Sequence, residues 1–269
     1  MGRWSELREQ GRGMAGALIV LGISFMYTNE VWWLAVTLSP VDLVAIVVVG
    51  LALVVPIVRS IGFHDADDSP RTPLLVQFGE LLFQSLVIAY LTLYLLGVIT
   101  LDQSPETVVR SGLVYLVPLA FGAALANELL SGEQEELSEV GFPRSLAVFA
   151  LGAVFFCAPI APTEEVVAIA LRMTWAKLAA LLVFTLVSTF LILHVLEFRG
   201  QTERLEHRSR WMSVGQTCMV FLVGTSVAVA LLATVGETDA VPLSSWVRRS
   251  VVLAFPSTIG ASAARVVLS

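Results

Sequence analysis

Long apolar runs, each about 20 residues or more, alternate along this chain with short charged stretches. A helix rises about 1.5 Å per residue, so runs of this length match the roughly 30 Å hydrocarbon layer of a bilayer. The pattern predicts eight membrane spans, at about 14–36, 41–61, 74–99, 107–129, 145–171, 176–197, 211–235 and 246–268. The fifth run contains Ala158-Pro159-Ile160-Ala161-Pro162. Proline lacks an amide donor and clashes with the preceding turn. A kink or break is therefore expected just before Thr163-Glu164-Glu165.

The two halves of the chain echo each other. Thr28-Asn29-Glu30-Val31 is matched 135 residues later by Thr163-Glu164-Glu165-Val166, and Ala35, Leu43 and Phe63 by Ala170, Leu178 and Phe198. At an offset of 138, the stretch from Pro118 to Ala126 parallels that from Pro256 to Ala264, and Arg110 parallels Arg248. Proline, glycine and arginine in step are harder to match by accident than aliphatic residues. The expected architecture is an all-α, polytopic transmembrane helical bundle of two parallel four-helix repeats. These comprise 1–131 and 145–269, joined by an acidic cytoplasmic linker at 132–144. An even number of spans per repeat brings both in from the same side, so their pseudo-two-fold axis lies along the membrane normal. Gly122 with Ala126, and Gly260 with Ala264, form small-residue faces that let helices approach closely. Pro118 and Pro256, one turn earlier, are expected to bend both helices alike, as packing features or as hinges.

Composition agrees with this picture. The chain is 57% hydrophobic and 14% charged, with a mean hydropathy of +0.83. A soluble domain is about 25% charged. Eleven of the sixteen Lys and Arg residues fall on the inner side if the N-terminus is inside. Trp32, Trp33 and Trp175 then fall near the outer interface. The expected placement is the cell (inner) membrane with both termini cytoplasmic. The net charge of −6 sits in acidic loops, and no basic patch for nucleic acid is present. Cys157 and Cys218 are isolated within spans and suggest neither a disulfide framework nor a metal motif.

The first span ends in Glu30-Val31-Trp32-Trp33. The last contains Pro256-Ser257-Thr258-Ile259-Gly260-Ala261-Ser262-Ala263-Ala264-Arg265. In these features the chain resembles a family of prokaryotic multi-spanning integral membrane proteins of unestablished function. The resemblance covers most of the chain. It implies the membrane fold and no particular mechanism.

Ionisable groups within spans are costly and mark functional sites by default. Glu30 is expected about 7–8 Å outward of the centre of its span, and Glu165 about 10 Å outward of its own. With Glu164, and with Thr28, Asn29 and Thr163 adding neutral oxygens, they form a candidate cation site. Calcium or sodium would suit such ligands, with Glu30 and Glu165 as the metal-binding pair. The same carboxylates, crowded and desolvated, would take up protons instead. Pro159 and Pro162 would free backbone carbonyls to line the path. Glu80 shares a helical face with Gln77 and Gln84 and is a candidate for the inner part of that path. His194 and Glu197 lie one turn apart near the inner end of the sixth span.

No HExxH, P-loop or GxSxG motif occurs, and an enzyme is not expected. The functional expectation is a cation channel or transporter with an acidic intramembrane site. The alternative is a non-transporting structural, sensory or lipid-binding membrane protein. Expected partners are the lipid bilayer and an inorganic cation or proton, with a homo-oligomer compatible with either reading.

Overall fold

The computed structural model describes residues 3–61, 74–130, 142–195, 210–234 and 241–268. Every regular element among them is helical. The chain divides into two compact units. One comprises Met1–Tyr94 and Val98–Ser131, the other Leu95–Gly97 and Gly132–Ser269.

In the first unit, α1 (Arg3–Ala17) continues through a π-helical turn (Leu18–Gly22) into α2 (Ile23–Met26). The chain then breaks at Tyr27 and Thr28 and restarts as α3 (Asn29–Thr37). This corrects the expectation of an unbroken span at 14–36. No proline is responsible. Thr28 adopts extended backbone, φ −125° and ψ 111°, and its hydroxyl donates to the Ser24 carbonyl at 2.7 Å. The Trp32 indole N–H donates to the Met26 carbonyl at 2.9 Å. Two side chains thus satisfy carbonyls that a continuing helix would have used.

A short turn leads into α4 (Pro40–Ile61), where the Ser39 hydroxyl accepts the Asp42 amide at 3.2 Å. Serine at the cap with proline at the first helical position is a favoured helix start. α5 (Leu74–Leu95) ends earlier than the expected residue 99, because Gly97 turns the chain at φ 72°. The Val98 amide closes that end on the Leu93 carbonyl at 2.9 Å. α6 (Pro105–Leu130) runs on through Pro118. It touches α1, the π turn, α2, α3 and α4. A Cβ on Gly122 would stand 2.9 Å from the Ala17 carbonyl oxygen, so glycine is what lets α6 reach α1.

The second unit contains α7 (Phe142–Cys157), α8 (Glu164–Arg172), α9 (Trp175–His194), α10 (Arg210–Thr234) and α11 (Leu243–Leu268). The break expected in the fifth span is present between Cys157 and Glu164. The turn is closed by the Ala161 amide on the Cys157 carbonyl at 2.8 Å and the Thr163 amide on the Ile160 carbonyl at 3.1 Å. α11 touches α7, α8, α9 and α10, and its residues 252–263 are all buried. A Cβ on Gly260 would lie 2.6 Å from the Gly152 carbonyl oxygen.

Among the described residues, four helices are long and apolar enough to cross a membrane: Leu75–Leu95, Pro105–Ala124, Trp175–His194 and Trp211–Thr234. Pro40–Val55 and Ser145–Cys157 are shorter apolar helices. The expected first and fifth spans are divided by their breaks. α11 carries Ser257, Thr258 and Ser262 in its buried middle, which lowers its apolar character. The surface is greasy where a bilayer would touch it: Val44, Val48, Val49 and Leu53 of α4 and Val183 and Val187 of α9 are exposed. The expected linker at 132–144 falls outside the described residues as far as 141, and Glu197 also lies outside them.

Candidate functional site

Both acidic tetrads sit at helix restarts. Thr28 precedes α3 as its cap residue, with Asn29 and Glu30 exposed in the first turn. Thr163 does the same for α8, followed by exposed Glu164 and half-buried Glu165. The Thr163 hydroxyl donates to the Ile160 carbonyl at 2.8 Å, as Thr28 does to Ser24. Each hydroxyl proton is engaged, while the oxygen lone pairs remain available. Carboxylates in a first helical turn offset the positive end of the helix dipole.

The depth of each break follows from one cross-contact within each unit. The Tyr115 hydroxyl donates to the Phe25 carbonyl at 3.4 Å, and Tyr115 lies ten residues into the 26-residue α6. The Cys157 thiol donates to the Leu253 carbonyl at 3.4 Å, and Leu253 lies ten residues into the 26-residue α11. Each helix is about 39 Å long, so each contact falls within about 4 Å of its helix's midpoint. α2 and α7 therefore end, and each break opens, beside the middle of the longest helix of their units.

Their far ends are held by arginine. Arg110 donates from Nε to the Ala35 carbonyl at 2.6 Å and from Nη2 to the Leu38 carbonyl. Arg248 donates from Nη1 to the Ala170 carbonyl at 3.4 Å and also to that of Met173. A cation bonded to the last carbonyls of a helix complements its negative end. Arg248 also lies 4.3 Å from the centre of the Trp175 ring, a cation–π contact. The Arg110–Glu106 approach of 3.9 Å adds little, since Glu106 is largely exposed.

In the first unit the polar face of α5 turns inward. Gln84 is fully buried and its amide donates to Gln10 Oε1 at 2.6 Å. Ser85 is buried, and Gln77 and Glu80 are half-buried. In the second unit His194 is buried with its ring against Phe190. Glu30 and Glu80 belong to the first unit, Glu164 and Glu165 to the second. Among the described residues, no three His, Cys, Asp or Glu side chains gather as a metal site would require. A cation at either break would therefore rely on one or two carboxylates with neutral oxygens. In the sequence Arg110 and Arg248 mark the repeat and count among the outer positive charges. Their docking on carbonyls 72 to 78 residues away carries no local signal.

Long apolar helices, a greasy exterior and polar side chains gathered inside define an integral membrane protein. The chain belongs to the family described as "Putative integral membrane protein (DUF2391)", whose model matches residues 9–268. No curated protein and no solved structure matches it.

Proposed function

We propose that this protein binds and passes a cation at two acidic helix breaks, one in each of two parallel four-helix repeats that together make eight crossings. The observation that carries the reading is the mid-length anchoring of both breaks. Backbone that departs from a helix at membrane depth is tolerated where protein or a polar cavity satisfies it. Discontinuous helices with polar ends are a recurrent way to build ion sites there. Glu30, Glu164 and Glu165 supply the negative charge, and Thr28, Asn29 and Thr163 the neutral oxygens. No catalytic chemistry is part of the reading.

Equivalent contacts support the repeat. Arg110 meets Ala35 and Leu38, and Arg248 meets Ala170 and Met173, at offsets of 138 for the arginines and 135 for their partners. Gly122 against Ala17 corresponds in the same way to Gly260 against Gly152. The carbonyl-lined path expected from Pro159 and Pro162 belongs to the second unit alone. In the first unit, the Ile23, Ser24, Phe25 and Met26 carbonyls each accept a hydrogen bond. The ligands proposed in the first unit are therefore chiefly the side chains.

The test is flux into liposomes holding purified protein, measured for calcium, sodium, potassium and a pH gradient. Glu30→Gln combined with Glu165→Gln should lower cation flux about tenfold or more while the protein still folds. Dependence of flux on the pH gradient would mark proton coupling. A wild-type protein that carries none of these ions would overturn the proposal in favour of a structural, sensory or lipid-binding role.

A further inference from the structure

Between α3, α4 and α6 of the first unit lies a cleft of about 390 Å³. Leu34, Ile46, Val114, Val117 and Pro118 are among its walls, with Phe25 at its rim, and every lining side chain is apolar. Packed protein seldom leaves such a space empty, because wall atoms without neighbours lose dispersion contacts. A lining of this kind also offers water no hydrogen-bond partners. Phe25, Leu34 and Ile46 are exposed, so the cleft is open to the outside. From Ile46 the exposed apolar surface continues along α4 through Val49 and Leu53. In an integral membrane protein that surface meets hydrocarbon.

We propose that the cleft holds one acyl chain of a membrane phospholipid, entering from the bilayer beside Ile46 and lying against Pro118. The other half of the chain shows what the position requires. The residue 138 places after Val117 is Phe255, which is fully buried, with its ring centroid 5.7 Å from that of Phe184. Ile169 and Leu181, 135 places after Leu34 and Ile46, are buried as well. The second unit supplies a benzyl group where the first has only isopropyl. The first unit is completed by hydrocarbon from outside. The cleft contains no carboxylate, and its occupancy does not depend on ion passage.

The experiment uses the full chain in phosphatidylglycerol vesicles whose lipid carries a diazirine at mid-acyl chain, with photolabelled residues mapped by mass spectrometry. Label is expected on α6 at residues 114–121 as well as on Val49 and Leu53 of α4. Val117→Phe, which copies the second unit, should lower the α6 label about tenfold relative to that on α4. Because Val117 also packs against Gly50, Val114→Phe serves as a second blocking variant from the same wall, with the same result expected. Wild-type label confined to α4 overturns the proposal, and the wild-type map decides this even if neither variant folds. So does α6 label that persists in both folded variants. Cross-linking of the cleft to a second copy of the chain would assign it to an oligomer interface and equally overturn the proposal.

Discussion

Gly260 and Gly215 are both helical residues of the second unit with opposite surroundings. A Cβ on Gly260 meets the Gly152 carbonyl at 2.6 Å and the Phe156 Cβ at 2.7 Å, whereas nothing lies within 4 Å of one on Gly215. Gly260→Ala must push α7 and α11 apart and should cost about 1–3 kcal/mol. Gly215→Ala should be neutral or gain up to about 1 kcal/mol through helix propensity. Thermal unfolding in detergent checks the pair, and equal shifts for both would contradict the packing described. The close approach at Gly260 was legible, because glycine and alanine recur at helical spacing there. The pairing of Gln84 with Gln10 was legible only by half. The inward polar stripe on α5 is visible in the sequence, but its partner lies 74 residues away on α1.

At the scale of the element, the short helices α3 and α8 depend on the arginines at their ends. Lysine keeps the charge but cannot span two carbonyls with one rigid planar group. Arg110→Lys should therefore loosen α3 in particular. Amides of residues 31–38 should exchange with deuterium faster, by about tenfold, while those of α6 stay protected. Unchanged exchange would show that α3 is held by its apolar contacts alone. Arg248→Lys should do the same to α8, with the loss of the Trp175 contact added. The two breaks were unequally legible. Pro159 and Pro162 announce the one before α8, since proline removes amide donors that a helix needs. The break before α3 has no proline. It is made by Thr28, Trp32 and the Ser24 and Met26 carbonyls acting together, and each of those residues alone is compatible with a continuous helix.

At the scale of the whole molecule, the number of crossings sets where the ends lie. The eight crossings of the proposal would put tags on the two termini on the same side of the membrane. With both ends cytoplasmic, as the arginine placement predicts, antibody or protease should reach both in inside-out vesicles and neither in right-side-out ones, and tags on opposite faces would exclude any even count. A different consequence follows from α6 and α11, the helices that most others in their units pack against. Each comes last in its unit, after the helices that pack against it. A ribosome must therefore deliver α1 to α4 into the membrane before the surface that organises them exists. Nascent chains arrested before residue 105 should remain open to proteases and to the insertion machinery. Those extended past residue 130 should close abruptly, and a second such step should follow only when the final helix emerges.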